Sequence, residues 1–247
     1  MDRYLDKYLD RYLAIETTQA KSAIRRTKYY YRATINLLQH HIYSAILNKI
    51  MAYCDFTIRK AKEEFNLTLV EGGTFFPEIK PIPPSPYLSE FLQESLPLAI
   101  AMGSEKARSE LIISPILFEV RKILDRKISF FSGEEFTVDQ SIGLNGICDF
   151  LISLSTEQLI IEAPAVVIVE AKKENLKGGL GQCMAEMVAA QRFNEAKKQP
   201  TQVIYGVVTS GNLWTFLKLE KQILTIDFTD YFIPPCGKNF GNFSLDD

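Results

Sequence analysis

Short apolar runs alternate with segments of helical periodicity along the chain. Two runs, at residues 147–154 and 164–172, are rich in β-branched side chains and are bounded by glycine, serine, threonine or proline, which is typical of β-strands. The second run is apolar on both faces from Ala165 to Val169, so we predict a central strand that is covered on both sides. Three further strands are predicted at residues 202–209, 212–219 and 222–228.

Helical spacing of apolar residues predicts the remaining regular structure. The pattern from residue 33 to 66 predicts a long amphipathic helix. Ser104 is a predicted N-cap, and Ser114–Pro115 indicates either a kink or a second helix start. Another helix is predicted from the glycine-rich segment 177–182 to about residue 198. These glycines lack the spacing of a phosphate-binding loop, and we expect them to form a tight turn.

A proline-rich connector follows the N-terminal helical part. Four of the five prolines in EGGTFFPEIKPIPPSP lie between Pro81 and Pro86, and proline interrupts regular structure because it lacks an N–H donor. We therefore place a boundary between a helical arm, residues 1–66, and a domain, residues 67–247, that we expect to fold without the arm. The predicted fold class is α/β: a mixed central sheet flanked by helices, with an N-terminal helical extension.

Two features of the arm suggest a partner. Residues 2–13 are three tandem tetrapeptides, DRYL, DKYL and DRYL, which place tyrosine and leucine on adjoining helical stripes suited to a homo-oligomer contact. Residues 21–32 carry five positive charges and no negative charge, with tyrosines interleaved, a pattern that can bind phosphates and stack on bases. The alternative for this basic segment, which we favour, is a solvated helix face whose tyrosines pack on the body of the protein.

Composition restricts the class of protein. The 247 residues are 47% hydrophobic and 23% charged, as in ordinary soluble globular proteins. A net charge of −2 does not attract nucleic acid, so any such binding depends on local basic patches. The four cysteines are dispersed without a C-x-x-C pair, which favours reduced thiols over a zinc site. Neither a signal-peptide pattern nor an apolar run of about 18 residues is present, so we expect a cytoplasmic protein outside the membrane.

Charged residues lie at the ends of the two predicted core strands. Asp149 shares a strand face with Leu151, while Glu170 and Lys172 share a face with Ile168. Burial of charge at such a strand end is costly unless the charges are paired or used in chemistry. Two carboxylates on neighbouring strands suit Mg²⁺, with water and substrate phosphate as its other ligands. A lysine beside that metal can orient an attacking water or stabilise charge that develops on phosphate.

The combination of Asp149 with Glu170-Ala171-Lys172 at the end of an apolar strand resembles the PD-(D/E)XK nuclease superfamily, which has the restriction-endonuclease-like fold. The resemblance implies that Asp149 and Glu170 are metal ligands and that Lys172 is the catalytic lysine. It also implies Mg²⁺ as the cofactor, with Mn²⁺ able to replace it. Cys148 stands where many members carry the proline of the motif name, a position that varies in the superfamily. Alternatively, Glu170 and Lys172 only form a pair at the strand end while Asp149 caps a turn.

The resemblance extends to residues of two predicted helices. In the superfamily, the helix before the core strands often supplies an acidic metal ligand, and Glu119 is the position that resembles it. Alternatively, Glu119 is a surface residue that pairs with Lys122 or Arg126. Gln182 and Glu186 lie one helical turn apart and resemble the Q-x-x-x-Y element of exonuclease-like branches, with glutamate in place of tyrosine. This resemblance implies that Gln182 supports the substrate or the lysine as part of the catalytic set.

The predicted function is that of a Mg²⁺-dependent nuclease. It would hydrolyse phosphodiester bonds, with DNA as the partner, by attack of a metal-activated water. Two alternatives stay open. One is a catalytically silent nucleic-acid-binding or protein-binding module that retains the nuclease fold. The other is a helical oligomerisation protein in which residues 1–66 perform the function.

Overall fold

The computed structural model describes residues 51–73, 82–173 and 175–233. Internal contacts divide the chain into two units between Lys49 and Ile50. The predictions made for the tandem repeats at 2–13, for the basic segment at 21–32 and for the helix up to residue 50 lie outside the described residues, as does part of the proline-rich connector.

The described residues form five α-helices and eight strands. The helices are α1 (Ile58–Glu64), α2 (Pro86–Met102), α3 (Glu105–Arg108), α4 (Ser114–Ile123) and α5 (Leu176–Ala196). A π-helical turn, Ser109–Ile113, joins α3 to α4, and 3-10 turns occupy Tyr53–Asp55 and Gln140–Ile142. The strands are β1 (Thr68–Glu71), β2 (Ser129–Glu135), β3 (Ile147–Ser153), β4 (Ala165–Ala171), β5 (Ile204–Thr209), β6 (Leu213–Glu220), β7 (Ile223–Ile226) and β8 (Tyr231–Phe232).

The strands belong to one mixed sheet in the order β1-β7-β6-β5-β4-β3-β2, with β8 paired to β6. The pairs β4–β5 and β1–β7 are parallel, and the other pairs are antiparallel. Helix α5 connects β4 to β5, because parallel neighbours need a crossover connection. The predicted α/β class with a mixed sheet flanked by helices is therefore confirmed. The predicted N-terminal helical extension falls outside the described residues.

Strand β4 is buried on both faces, as the apolar run from Ala165 to Val169 predicts. Ile168 packs with Leu151 and with Met184 of α5 in the larger core cluster. Val169 points to the opposite face and packs with Leu117 of α4 in a second cluster. The C-terminal end of β4 therefore emerges from a core that is apolar on both sides, where an unpaired charge is costly.

Residues 51–66 pack into the core of the α/β unit, so the boundary expected after residue 66 lies further toward the N-terminus. Tyr53, Phe56 and Phe65 are at most 7% exposed and belong to the larger core cluster. A 3-10 turn and the short helix α1, which Thr57 caps, replace the continuous helix expected in this segment. Burial of aromatic side chains therefore determines the structure of this segment more than its helical periodicity does.

Four elements were not predicted from the sequence: α2, β1, β2 and the two-residue strand β8. Helix α2 begins at the last proline of the connector, Pro86, with Ser85 as its N-cap. Proline is tolerated at the first helical position because the N–H there has no intrahelical partner. Strand β2, with the sequence SFFSGEE, pairs along β3 and forms one edge of the sheet. Its glycine and adjacent charges obscure the alternation on which strand prediction depends.

The described cysteines are free thiols, as their spacing predicts. Cys54, Cys148 and Cys183 form no disulfide, and the latter two are buried. Among the helices described, none is both long enough and apolar enough to cross a membrane.

Candidate active site

Asp149 and Glu170 lie opposite each other where β3 and β4 separate. The antiparallel ladder of these strands ends at the pair Phe150–Val169, so Asp149 and Glu170 would be the next pair in register. Just beyond the last ladder pair, the Ala171 N–H donates a hydrogen bond to Asp149 Oδ2 at 2.8 Å and not to a backbone carbonyl of β3. The Asp149 carboxylate is therefore held in the opening between the strand ends, within electrostatic reach of Glu170.

Glu170 is only 1% exposed, and each of its carboxylate oxygens accepts a hydrogen bond. Lys172 Nζ donates to Oε1, and Gln182 Nε2 donates to Oε2 at 2.9 Å. Lys172 reaches Glu170 because residues two apart lie on the same face of an extended chain. The structure thus brings together four of the predicted site residues: Asp149, Glu170, Lys172 and Gln182.

Helix α5 brings Gln182 to this site through the glycines of its first two turns. A Cβ atom at Gly179 would lie 2.8 Å from Val208 Cγ1 and 3.0 Å from Lys172 Cγ. A Cβ atom at Gly181 would overlap the backbone of the segment that begins at Phe56. These glycines were expected to form a tight turn, but they lie within the helix. Their function is close packing, which lets the helix approach the sheet and the N-terminal segment.

The carboxylates of the site bind protons more tightly than usual. Burial, followed by repulsion from Asp149, raises the pKa of Glu170 to about 8. Burial also raises the pKa of Asp149. For Lys172, burial acts to lower the pKa, but attraction by Glu170 and the neighbouring carboxylates outweighs it, so the pKa lies above its usual value. Negative charge at the site therefore exceeds what the ammonium group of Lys172 balances.

Glu105 is an acidic residue of the site that the sequence analysis missed. It is the first residue of α3, directly after the N-cap Ser104. Its Oε1 accepts a hydrogen bond from the Lys173 N–H at 3.2 Å, and its charge adds to the repulsion on Asp149 and Glu170. The predicted N-cap was correct, since the Ser104 side chain accepts from the Ala107 N–H. The sequence contained no signal that this helix start faces the ends of β3 and β4.

Glu119, the expected third metal ligand, makes its contacts in another part of the molecule. Its Oε1 accepts from the Ser85 N–H at 2.9 Å, and its Oε2 pairs with Lys122 Nζ at 3.0 Å. It lines a pocket with Tyr87 and Phe91, between α2 and α4. The pairing with Lys122 in the alternative interpretation is therefore present, although Glu119 is buried and not a surface residue. Its assignment as a metal ligand has no support in this geometry.

A cleft of about 390 Å³ opens beside Asp149. One wall comes from α3, the π-helical turn and the start of α4, and the other comes from β2. Its polar lining includes three hydroxyl groups, from Ser109, Ser114 and Ser132, and two further acids, Glu105 and Glu110. Gly133 in the opposite wall has open space where a side chain would lie. The cleft therefore connects the Asp149 side chain to solvent.

The donor set at this site fits a hard divalent cation. Within the described ranges, no group of three or more histidine, cysteine, aspartate or glutamate side chains is arranged to hold a metal ion. Asp149 and Glu170 nevertheless provide two adjacent carboxylates, which is the number that Mg²⁺ commonly takes from a protein, together with water and phosphate. Their raised pKa values are consistent with this fit, because a cation would offset the excess negative charge.

In comparisons with known proteins, the sequence matches no family model and shows no significant similarity to a curated protein. The class that the fold and the site define is a mixed α/β protein with a carboxylate–lysine cluster at the open end of two central strands.

Proposed function

We propose that this protein is a Mg²⁺-dependent nuclease that hydrolyses phosphodiester bonds in DNA and has a restriction-endonuclease-like fold. The observation that carries the proposal is the convergence of Asp149, Glu170 and Lys172 at the strand ends, where Asp149 lines the cleft. The sequence supports it through the spacing of these residues. Their mutual contacts at the strand ends are a second, geometric line of support.

Each residue of the cluster has a role that follows from its surroundings. Asp149 and Glu170 would hold Mg²⁺, or Mn²⁺ in its place, and Glu105 adds negative charge nearby. When bound, such a cation lowers the pKa of a coordinated water and offsets charge on the phosphate. Lys172 retains its ammonium proton despite burial and offers a positive charge to a phosphate oxygen. Gln182 supports the site through its hydrogen bond to Glu170.

The charge of the cleft suggests how nucleic acid would bind there. Asp149, Glu105 and Glu110 line it, and the one lysine of the lining, Lys106, pairs with Glu110 at 2.7 Å. A polyanion is repelled by such a surface in the absence of a cation. We therefore expect binding of DNA in this cleft to require a divalent cation, whereas binding through the basic segment at residues 21–32 would not.

A cleavage assay tests the proposal. The substrates are single-stranded and double-stranded DNA and RNA, each in Mg²⁺, Mn²⁺ or EDTA. We expect cleavage with either metal and none with EDTA. Asp149→Ala should lose both cleavage and metal affinity, which calorimetry measures directly. Lys172→Ala should keep its metal affinity and lose the chemical step.

The matched controls are Asp125→Asn and Lys127→Ala. These residues form an exposed ion pair just before β2 begins at Ser129. Ser129 pairs with Ser153, at the end of β3 that lies away from Asp149. Both control variants should cleave like the parent. If the parent binds DNA but cleaves none of the substrates with either metal, the enzyme assignment is wrong and the silent binding module is favoured.

A further inference from the structure

Glu186 is a carboxyl group buried behind the candidate active site. It lies one turn after Gln182 on α5 and is 0% exposed. Its Oε1 accepts a hydrogen bond from Gln182 Nε2 at 3.1 Å. Its Oε2 has no hydrogen-bond partner among the described residues. The ammonium group of Lys172 pairs with Glu170 and not with Glu186.

The Gln182 amide joins the two carboxyl groups. Its Nε2 donates to Glu170 Oε2 at 2.9 Å and to Glu186 Oε1 at 3.1 Å, so a single nitrogen serves both. A glutamine side chain has a donor end and an acceptor end, and only the donor end satisfies two acceptors at once. Glu186 therefore selects the amide orientation in which the nitrogen faces Glu170.

Glu186 occupies a position where an apolar side chain would be less costly. Its neighbours on α5, among them Ala185 and Met187, are fully buried in the larger core cluster. Burial, followed by the charge of Glu170, raises the pKa of Glu186 well above its usual range. A buried acid with an unsatisfied oxygen lowers the free energy of unfolding relative to an apolar residue of similar volume. The stability of the fold therefore does not account for its presence.

We propose that Glu186 is a positioning residue: it holds the Gln182 amide in the orientation that keeps the Glu170 carboxylate in place. This inference rests on the nuclease function proposed above. Glu186 acts through Gln182, its one side-chain hydrogen-bond partner among the described residues. Loss of its acceptor would remove one of the two hydrogen bonds that orient the amide, and the hold of Gln182 on Glu170 would weaken.

The test compares two substitutions of the same residue. Glu186→Gln keeps an acceptor oxygen facing Gln182 and should cleave like the parent. Glu186→Leu removes that acceptor and should lower kcat by about 10- to 100-fold, as expected for the loss of a group that orients a metal ligand, with little change in KM. The melting temperature of Glu186→Leu should equal or exceed that of the parent, because the buried carboxyl group is gone.

Two further variants separate positioning from a structural role. Because Glu186 acts through Gln182, Gln182→Ala/Glu186→Leu should be no slower than Gln182→Ala alone. Met184→Leu, a buried substitution on α5 without a hydrogen bond, controls for repacking of the helix. Additive losses in the double variant, or a loss of kcat that follows the melting temperature across the variants, would overturn the proposal.

A measurement independent of cleavage distinguishes this proposal from the nuclease function itself. In NMR spectra, the side-chain NH₂ signals of Gln182, assigned by their disappearance in Gln182→Ala, report the order of the amide. They should be sharp and slow to exchange in the parent and in Glu186→Gln, and broad or fast to exchange in Glu186→Leu. An unchanged amide in Glu186→Leu overturns the positioning role, whereas an inactive parent with the expected amide behaviour overturns only the nuclease function.

Discussion

We expect Glu170→Gln to abolish cleavage and yet stabilise the protein at neutral pH. Glu170 is 1% exposed, and its pKa rises from 4.5 to about 8 through burial and repulsion from Asp149. One pKa unit corresponds to about 1.4 kcal/mol. Compared with a residue that does not ionise, Glu170 therefore lowers the free energy of unfolding by about 3 kcal/mol at pH 7. At pH values well above 8 the difference is roughly 5 kcal/mol.

The direction of this pH dependence follows from proton linkage. The pKa of Glu170 is higher in the folded state than in the unfolded chain. Between these two values, the folded protein keeps a proton that the unfolded chain has released. The stability associated with this proton is therefore fully present below the unfolded pKa and is lost as the pH rises through the folded pKa. Glutamine has a similar shape but does not ionise, so the variant lacks this loss.

Urea unfolding of the parent and Glu170→Gln between about pH 5 and pH 9, in EDTA, measures the difference. The two curves of stability against pH should nearly coincide at the acidic end and separate by about 3 kcal/mol at pH 7. Mg²⁺ should narrow this gap by stabilising only the parent, because binding to the folded state raises its stability. Asp125→Asn, at an exposed pair, should follow the parent. Parallel curves for the parent and Glu170→Gln would contradict the assignment of Glu170 as the titrating group.

Three further predictions concern the surroundings of the site. A fragment of residues 50–247 should fold, whereas a fragment of residues 67–247 should not. The shorter fragment lacks three buried aromatic side chains, and the loss of each lowers the free energy of unfolding by about 3–5 kcal/mol; circular dichroism of the two fragments measures the outcome. Gly181→Ala should lower both the melting temperature and the cleavage rate, because the added Cβ has no space against the backbone that begins at Phe56. Equal melting temperatures of the variant and the parent would contradict this close packing of α5. Glu119→Gln should cleave at the parental rate, and urea unfolding should show a free energy of unfolding lower by about 1–2 kcal/mol. A loss of cleavage in this variant would instead support Glu119 as a metal ligand.

The sheet could be predicted largely from the sequence. Strands β3 to β7 follow short runs of apolar and β-branched residues, and their observed ends lie within a few residues of the predicted ones. Strand β2 was missed because its second half, Gly133 to Glu135, is polar and mostly exposed. Helix α2 was missed because its N-terminal proline was interpreted as part of the connector. The local sequence pattern therefore identified a strand or helix only where the buried positions were apolar and the exposed positions were polar at the spacing of that element.

The N-terminal boundary shows how periodicity can mislead. Apolar spacing was continuous from residue 33 to 66, so it predicted one helix and one arm. The structure instead packs Tyr53, Phe56 and Phe65 against α5 and the sheet. Tyr53 also donates a hydrogen bond from its hydroxyl group to the Phe136 carbonyl at 2.7 Å, a contact between residues far apart in sequence. Such a long-range contact leaves no trace in the local spacing.

The sequence by itself predicted that Asp149, Glu170 and Lys172 would lie together. An extended chain places residues two apart on one face, and the two strands that carry these residues are neighbours in the sheet. Only the tertiary structure decided which acid from the helices joins them. Glu105 faces the cluster and Glu119 does not, because the direction of a helix N-terminus and of each helix face depends on packing against residues remote in the chain. Likewise, the contact of Gln182 with Glu170 depends on glycines that let α5 approach β4 and β5.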